Sequence, residues 1–173
     1  MATEIERKFM VSDASILDGL EGTVIAQGYL PVAAPTSVRV RLAGGGASAR
    51  AFLTIKQGRS ALARAEFEYP VPVADAEAML DLMCGEARVR KVRFEIEFAG
   101  RLWEVDRFEA ENAPLVMAEI ELEAEDAPFE RPPWVGAEMT ADPRLLNVNL
   151  CRHPLAQWTT TERIALLGGD SQC

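Results

Sequence analysis

The sequence predicts an α+β fold that is mainly antiparallel β: an eight-stranded closed β-barrel with a few flanking helices. Three observations carry this prediction. Eight segments alternate polar and apolar residues with a period of two, which is typical of strands with one buried face. Glycine-containing turns separate several of them, which favours antiparallel hairpins. The polar face consists almost entirely of glutamate, aspartate, arginine and lysine.

The alternation is clearest in segment 91–98, where charged residues at every second position face away from valine, phenylalanine and isoleucine. The eight predicted strands are residues 3–11, 23–31, 37–42, 51–57, 63–69, 91–98, 102–108 and 116–123. Turns are predicted at 43–48, 56–60 and 98–101.

Helices are predicted in three segments. Residues 12–20 begin with Ser12, a suitable N-cap. Residues 73–84 place four apolar side chains at helical spacing. Residues 156–167 end before the pair Gly168-Gly169, a favourable C-cap.

Length and composition suit a single domain over residues 1–173, with a core at about 2–155 and a C-terminal helix at about 156–167. Apolar residues make up 49% of the chain and charged residues 26%, which allows a core without disulfide cross-links. The net charge of −9 disfavours nucleic acid and anionic membranes as partners.

The three cysteines, Cys84, Cys151 and Cys173, are odd in number and widely spaced, which disfavours both a disulfide framework and a metal knuckle. We therefore expect a cytoplasmic protein. No apolar run approaches the roughly 20 residues of a membrane span. The apolar outer face of the barrel needs more cover than a few helices give, which is consistent with a homodimer.

A barrel closed with the charged face inward would enclose a channel with a cationic wall and an anionic wall. Arg39 and Arg41 lie in one predicted strand, and Glu119 and Glu121 in another. Arginine presents a planar fork that suits phosphate oxygens, whereas carboxylates suit a hard divalent cation such as Mg²⁺. The two walls together predict a site for a metal-bound chain of phosphates. The alternative is an ordinary solvated face.

The first charged row, Glu4-x-Glu6-x-Lys8, resembles the N-terminal signature of the CYTH domain, or triphosphate tunnel metalloenzyme, family. The similarity continues in order through residues 27–30, 38–42, 53–56, 64–69, 91–94, 103–108, 118–123 and 132–150. The chain is most similar to the short bacterial inorganic triphosphatase-like members. The resemblance implies an eight-stranded tunnel that binds triphosphates with Mg²⁺ or Mn²⁺.

The resemblance also implies roles for residues that match by position. The expected catalytic residues are Glu4, Glu6, Lys8, Tyr29 and Lys56. The expected substrate-binding residues are Lys8, Arg39, Arg41, Lys56, Arg64, Lys91 and Arg93. The expected metal-side carboxylates are Glu4, Glu6, Glu66, Glu68, Glu104, Asp106, Glu119 and Glu121.

The implied reaction is metal-dependent hydrolysis of the terminal phosphate of a triphosphate, foremost inorganic tripolyphosphate. Lys56 and Arg39 are expected to hold the reacting end, and Tyr29 to hydrogen-bond a basic group such as Lys8. The general base is left open among Glu4, Glu6, Glu66, Glu119 and Glu121.

Three alternatives stay open at this point. The substrate could be organic, as in a thiamine triphosphatase, a nucleoside triphosphatase or an adenylate cyclase. The scaffold could bind polyphosphate without turning it over, or it could be an unrelated barrel with a salt-bridged wall and no ligand. The chain also departs from the short bacterial pattern at Leu145, Leu146 and Val148, beside Asn147. This departure predicts a more apolar lining at the C-terminal end of the tunnel and a different choice of substrate.

Overall fold

A computed structural model describes residues 2–57, 63–85 and 88–168, excepting the side chains of residues 2–4 and 63–64. The strands in these ranges are β1 (Ala2–Val11), β2 (Thr23–Leu30), β3 (Thr36–Ala43), β4 (Arg50–Gln57), β5 (Ala63–Val71), β6 (Arg88–Phe98), β7 (Arg101–Phe108), β8 (Val116–Glu121) and β9 (Val135–Glu138). The α-helices are α1 (Val73–Leu82), α2 (Asn147–Arg152) and α3 (Thr160–Leu167).

The strands form one antiparallel sheet in the order β5-β4-β3-β2-β6-β7-β8-β1-β9. A further pairing of β1 with β5 joins the two ends of the eight-strand series into a ring. This seam is short, running from Ala2 opposite Glu66 to Ile5 opposite Ala63. Beyond it, the same strand pairs with β9 from Phe9 onward, so the ring is closed along only part of β1.

All eight strands predicted from the sequence are present, and the predicted sheet-dominated α+β class is confirmed. The predicted turn at 98–101 is also present: Ala99 and Gly100 both have positive φ angles, 50° and 75°. Positive φ at both central residues is the conformation that a two-residue hairpin turn favours, because it matches the twist of the strands. Part of the predicted turn at 56–60 lies outside the described residues.

Alternation along the strands separates an apolar outer face from a charged inner face. In β1, Ile5 and Phe9 belong to the outer core, while Glu6 and Lys8 point to the interior. The fully buried Trp103 of β7 stands at the centre of this core. The whole buried cluster comprises Ile5, Phe9, Leu17, Val92, Phe94, Trp103, Val105, Ala118, Ile120, Leu122 and Trp134.

The inner face is not charged along its whole length. Towards one end it turns apolar at Val89, Phe108 and Met117, which pack against Leu150 and Leu155 of the C-terminal segment. The buried Asn112 ties this segment to the sheet. Its Nδ2 donates to the carbonyl of Leu150 at 3.4 Å, and its Oδ1 accepts from the backbone N–H of Leu155 at 3.0 Å. The C-terminal segment therefore forms an apolar floor below the charged part of the barrel.

The predicted helices are shorter in the structure. The segment 12–20 forms only a 3₁₀ turn, Ala14–Leu17, and its cap is Asp13 rather than Ser12. The predicted helix over 73–84 is α1, which ends at Leu82.

The predicted helix over 156–167 begins later, at Thr160, because Thr159 and Glu162 form a reciprocal capping box. It ends before Gly168, whose φ of 76° suits the predicted C-cap, while Gly169 lies outside the described residues. No helix in the described ranges is long and apolar enough to cross a membrane.

Replacing Trp103 with alanine tests the outer core. The indole is fully buried and makes ring contacts with Phe9, Phe129 and Trp134 at centroid distances of 5.7–5.9 Å. We expect Trp103→Ala to lower the free energy of unfolding by about 3–5 kcal/mol in urea titration. The control is Leu82→Ala, because Leu82 is 83% exposed and its truncation is expected to change stability by about 0.5 kcal/mol or less. A loss below about 1 kcal/mol for Trp103→Ala would contradict this account of the core.

Candidate functional site

The charged inner face encloses a cavity of about 440 Å³ above the apolar floor. Six cationic side chains line it: Lys8, Arg39, Arg41, Lys56, Arg93 and Arg101. Six acidic side chains line it as well: Glu6, Glu66, Glu68, Glu104, Glu119 and Glu121. The remaining lining residues are Tyr29, Ser37, Gly100, Leu102, Leu146, Asn147 and Val148.

Strand pairing brings like charges together on this face. Glu6 lies directly opposite Glu121, and Glu104 lies directly opposite Glu119. Like charges opposite each other across two strands destabilise a sheet unless an opposite charge lies between them. The basic side chains of the cavity supply that opposite charge.

Lys8 bridges two of these carboxylates. Its ammonium donates to Glu6 at 2.9 Å and to Glu119 at 2.5 Å, and the side chain is almost wholly buried. Burial alone would lower the pKa of Lys8, but the charges of Glu119 and Glu6 outweigh it and raise the pKa above its ordinary value. Burial likewise opposes ionisation of Glu119. The charges of the neighbouring cations, of which Lys8 contributes most, nevertheless lower the pKa of this carboxyl to about 2. Both groups are therefore held in their charged forms.

A second set of ion pairs joins β3, β4 and β5. The guanidinium of Arg39 donates to the hydroxyl of Thr54 at 3.0 Å and to Glu68 at 3.2 Å. The ammonium of Lys56 lies 3.0 Å from Glu66 and 4.0 Å from Glu6. The cations of β3 and β4 are thus already engaged with carboxylates of β5 and, at a longer distance, of β1.

Arg93 holds the third set. Its guanidinium donates two parallel hydrogen bonds to Asp106, at 2.8 and 2.7 Å, and one to Glu119 at 3.2 Å. It also forms an ion pair with Glu104. Burial raises the pKa of Glu104, although Arg93 opposes this effect. Arg93 therefore connects the floor of the cavity to its acidic wall.

Two predicted site residues do not reach the cavity. Lys91 and Asp106 are only 0% and 1% exposed and form an ion pair with each other between the apolar floor and Arg93. Burial lowers the pKa of Lys91 to about 8, against the opposing charge of Asp106. In this arrangement Lys91 does not present its ammonium to a cavity ligand, and Asp106 presents its oxygens to Lys91 and Arg93.

Arg41 combines two missing contacts. Among the described residues it has no salt bridge, as is also true of Arg101, and its buried Nε has no hydrogen-bond partner, as is also true of Arg39. Burial, followed by the like charges of Arg39 and Arg93, lowers the pKa of its guanidinium from the ordinary value. An anion entering the cavity would supply the missing partner.

The predicted contact of Tyr29 with Lys8 is absent from the hydrogen bonds of the described residues. The Tyr29 hydroxyl instead accepts a hydrogen bond of 3.2 Å from Nε2 of Gln27, and the Lys8 ammonium donates to Glu6 and Glu119. Burial raises the pKa of Tyr29, so its hydroxyl keeps the proton that it could donate to an oxyanion.

Two further predicted residues, Glu4 and Arg64, lie directly opposite each other at the β1–β5 seam. Their side chains lie outside what the structure describes. The other predicted site residues, Lys91 and Asp106 excepted, all line the cavity.

Four further lining residues were not predicted from the sequence: Ser37, Gly100, Arg101 and Leu102. Ser37 shares the alternation that places Arg39 and Arg41 inward, so the signal was available. Arg101 follows the β6–β7 turn and has no comparable pattern. The predicted apolar lining near the C-terminus is present at Leu146 and Val148, whereas Leu145 is buried in the floor cluster.

The carboxylates suit a divalent cation by chemistry, since Mg²⁺ and Mn²⁺ prefer oxygen ligands. As placed, no three acidic, histidine or cysteine side chains among the described residues form a ready metal-binding group. Glu6 and Glu119 nevertheless converge on one positive charge, the ammonium of Lys8. The donor set therefore fits a cation, provided that Lys8 gives up this position.

Two curated relatives resemble the chain over most of its length. An inorganic triphosphatase of Acetivibrio thermocellus is 41% identical over 154 residues, covering 89% of this chain and 96% of the relative. An inorganic triphosphatase of Nitrosomonas europaea is 39% identical over 150 residues, covering 84% and 94%. The names of both relatives agree with the triphosphatase activity that the sequence analysis predicts.

Solved structures agree with the fold. The crystal structure of an inorganic triphosphatase superposes with a TM-score of 0.62 at 33% identity, covering 87% of this chain and 95% of that one. A putative adenylate cyclase from Bacillus halodurans shares the fold at 19% identity and a TM-score of 0.53, covering 72% and 84%.

The family model of the CYTH domain matches residues 2–149, which include all nine described strands and every described residue of the cavity lining. Together with the two relatives, this match shows that the chain belongs to the CYTH domain family.

Proposed function

We propose that this chain hydrolyses the terminal phosphoanhydride bond of inorganic tripolyphosphate inside the charged cavity. The observation that carries the proposal is the lining itself, in which cationic and carboxylate side chains together surround a cavity of about 440 Å³. Phosphoryl transfer needs positioning and charge stabilisation more than covalent chemistry, and this lining offers both. Both curated relatives carry the name of this activity.

The basic residues would hold the phosphate chain. Arg41 is available without breaking a salt bridge, and Arg39 and Lys56 lie on the neighbouring strands β3 and β4, where we place the reacting end. Arginine forks can bind two oxygens of one phosphate group. Tyr29 keeps its proton and can donate to a phosphate oxygen at the same wall.

Triphosphatases of this family depend on a metal ion, and we assign Mg²⁺ or Mn²⁺ to the carboxylates of this cavity. The residues that would hold the metal ion are Glu6 and Glu119. Glu121 lies opposite Glu6, and Glu4 lies on the same strand as Glu6, β1. A bound divalent cation would supply charge neutralisation of the phosphate oxygens and a water of lowered pKa. The general base stays open among Glu4, Glu6, Glu66, Glu119 and Glu121.

A second candidate substrate is an organic triphosphate. Leu102, Leu146 and Val148 give the cavity an aliphatic part that an inorganic phosphate chain cannot use. An organic group attached to the phosphate chain could pack there. This observation keeps nucleoside and thiamine triphosphates as substrates to be compared with tripolyphosphate.

Three further expectations belong to this proposal. The chain acts as one domain, and it forms a homodimer. It works in the cytoplasm, where the buried thiols of Cys84 and Cys151 would stay reduced. On the outer face, Phe67 and Tyr69 of β5 are 43% and 54% exposed, and a second copy could cover them.

Removing divalent cations tests the metal requirement. We expect phosphate release from tripolyphosphate with Mg²⁺ or Mn²⁺ and no release in excess EDTA, because the acidic wall would then repel the substrate. Phosphate release is followed by a colorimetric assay, and restoring the cation should restore the rate. Full activity in excess EDTA would refute the metal role.

Replacing Arg41 with alanine tests the phosphate-binding wall. We expect Arg41→Ala to raise KM roughly ten- to hundredfold, the loss of one charged hydrogen-bond donor to the substrate. Arg50→Ala is the matched control, because Arg50 is exposed at the start of β4 and does not line the cavity. Equal KM values for the two variants would argue against binding of the substrate at Arg41.

A substrate comparison separates the two candidates. If tripolyphosphate is the substrate, its kcat/KM should exceed that of thiamine triphosphate and of nucleoside triphosphates by about tenfold or more. The reverse order would show that the aliphatic part of the cavity serves an organic group.

A further inference from the structure

Thr54 is a buried polar residue of β4 that lies behind the cavity lining without belonging to it. Its exposed fraction is 0%, and strand pairing places it directly between Arg39 of β3 and Glu68 of β5. Arg39 and Glu68 both line the cavity. The proposed reaction uses Arg39 but leaves the hydroxyl of Thr54 without a role.

The hydroxyl of Thr54 joins its two neighbours by hydrogen bonds of fixed direction. Nη2 of Arg39 donates to Oγ1 of Thr54 at 3.0 Å, and Oγ1 donates to the carboxylate of Glu68 at 2.7 Å. A guanidinium has only donors and a carboxylate has only acceptors, so the hydroxyl proton points to Glu68 and a lone pair points to Arg39. This position therefore requires a group that accepts and donates at once, which a hydroxyl does.

The contact with Thr54 is the better protected of the two contacts made by Nη2 of Arg39. Glu68 also accepts from this nitrogen, at 3.2 Å, but its side chain is 38% exposed, so water competes for the carboxylate. The Thr54 contact is enclosed, because Thr54 is fully buried and the Arg39 side chain is only 9% exposed. A threonine side chain is also branched at Cβ and has few rotamers on a strand. Thr54 therefore offers Arg39 a rigid acceptor.

The rest of the Arg39 guanidinium remains available to a ligand. Its buried Nε has no hydrogen-bond partner, and within the described ranges both of its hydrogen bonds come from Nη2. Arg41 is the next residue of β3 on the same face and carries the same charge, which displaces an unrestrained guanidinium. A restraint at Nη2 keeps the remaining donors of Arg39 in one place at the cavity wall.

We infer that Thr54 is a positioning residue of the phosphate-binding wall, whose hydroxyl fixes the guanidinium of Arg39 for the triphosphate without touching the triphosphate itself. The inference rests on the proposed function, in which Arg39 holds the reacting end of the substrate. A side chain that is already held in its binding position loses less conformational freedom when the ligand arrives. Removing the hydroxyl should therefore weaken substrate binding although every charge of the lining stays in place.

The experiment separates the hydroxyl of Thr54 from its methyl group. Thr54→Val keeps the branched shape and removes the hydroxyl, whereas Thr54→Ser keeps the hydroxyl and removes the methyl group. Thr36→Val is the matched control, because Thr36 begins β3 and lies outside the cavity lining. Phosphate release from tripolyphosphate with Mg²⁺ gives kcat/KM, and isothermal titration calorimetry in Mg²⁺ gives the Kd of imidotriphosphate, a slowly hydrolysed analogue. Circular dichroism shows that each variant is folded at the assay temperature.

We expect Thr54→Val to lower kcat/KM by about three- to tenfold and to raise the Kd of imidotriphosphate by a similar factor. Thr54→Ser and Thr36→Val should stay within about twofold of the wild type. A role in packing alone predicts that Thr54→Ser, which loses a buried methyl group, is impaired at least as much as Thr54→Val. If Thr54→Val does not fold, Thr54→Ala takes its place, because alanine and serine differ only in the hydroxyl.

A double-mutant cycle tests whether Thr54 acts through Arg39. In the Arg39→Ala background the effect of Thr54→Val should fall below about twofold, because the hydroxyl then has no guanidinium to hold. An effect that persists undiminished in this background would overturn the inference. Where Arg39→Ala leaves too little activity and binding to measure, the comparison of Thr54→Val with Thr54→Ser decides alone.

Equal kcat/KM and Kd values for Thr54→Val and the wild type would also overturn the inference, as would equal impairment of Thr54→Val and Thr54→Ser. Such results with a wild-type chain that releases phosphate would leave the proposed function intact. A wild-type chain that releases no phosphate from tripolyphosphate would count against the proposed function, and the Kd values of imidotriphosphate would then decide the positioning role by themselves.

Discussion

The structure depends on pairing of opposite charges inside a sheet that has turned its polar face inward. Glu6 lies opposite Glu121, and Glu104 lies opposite Glu119, positions at which like charges would push the strands apart. Lys8 and Arg93 reach between these strands and make the arrangement tolerable. The outer apolar core holds the same strands from the other side, so the ring and its charged interior are supported together.

This arrangement also explains why the site can be both stable and reactive. Buried ion pairs add little stability compared with an apolar core, because the charges must first lose their water. They keep charged groups in place, however. A ligand can replace one member of an ion pair when the ligand carries the same sign of charge as the group that it replaces. A metal ion is a substitute for an ammonium, and a phosphate is a substitute for a carboxylate. The cavity is thereby prepared for a ligand that contains both.

Much of the fold followed from alternation alone, because one buried face imposes a period of two on every strand. The eight strands and the inward direction of Arg39, Arg41, Glu119 and Glu121 were predictable for this reason. Strand β9 was not, since four residues are too few to show a period. The helix α2 was not predicted because its six residues show no local helical pattern. The helix is held by the packing of Leu150 and Cys151 in the core.

The positions of Lys91 and Asp106 could not be predicted either. They lie at the same alternate strand positions as the cavity residues, so their side chains point inward. How far along the barrel the cavity extends, however, depends on where the C-terminal segment packs, and no local sequence pattern encodes that position. The most direct test of ligand binding in this cavity is a crystal structure with Mg²⁺ and imidotriphosphate, a triphosphate analogue in which N–H groups replace the bridging oxygens. We predict phosphate oxygens at Arg41 and Arg39, and Mg²⁺ between Glu6 and Glu119 with the Lys8 ammonium moved to a phosphate oxygen. A ligand bound outside the cavity, with the Lys8 pairs unchanged, would contradict the account.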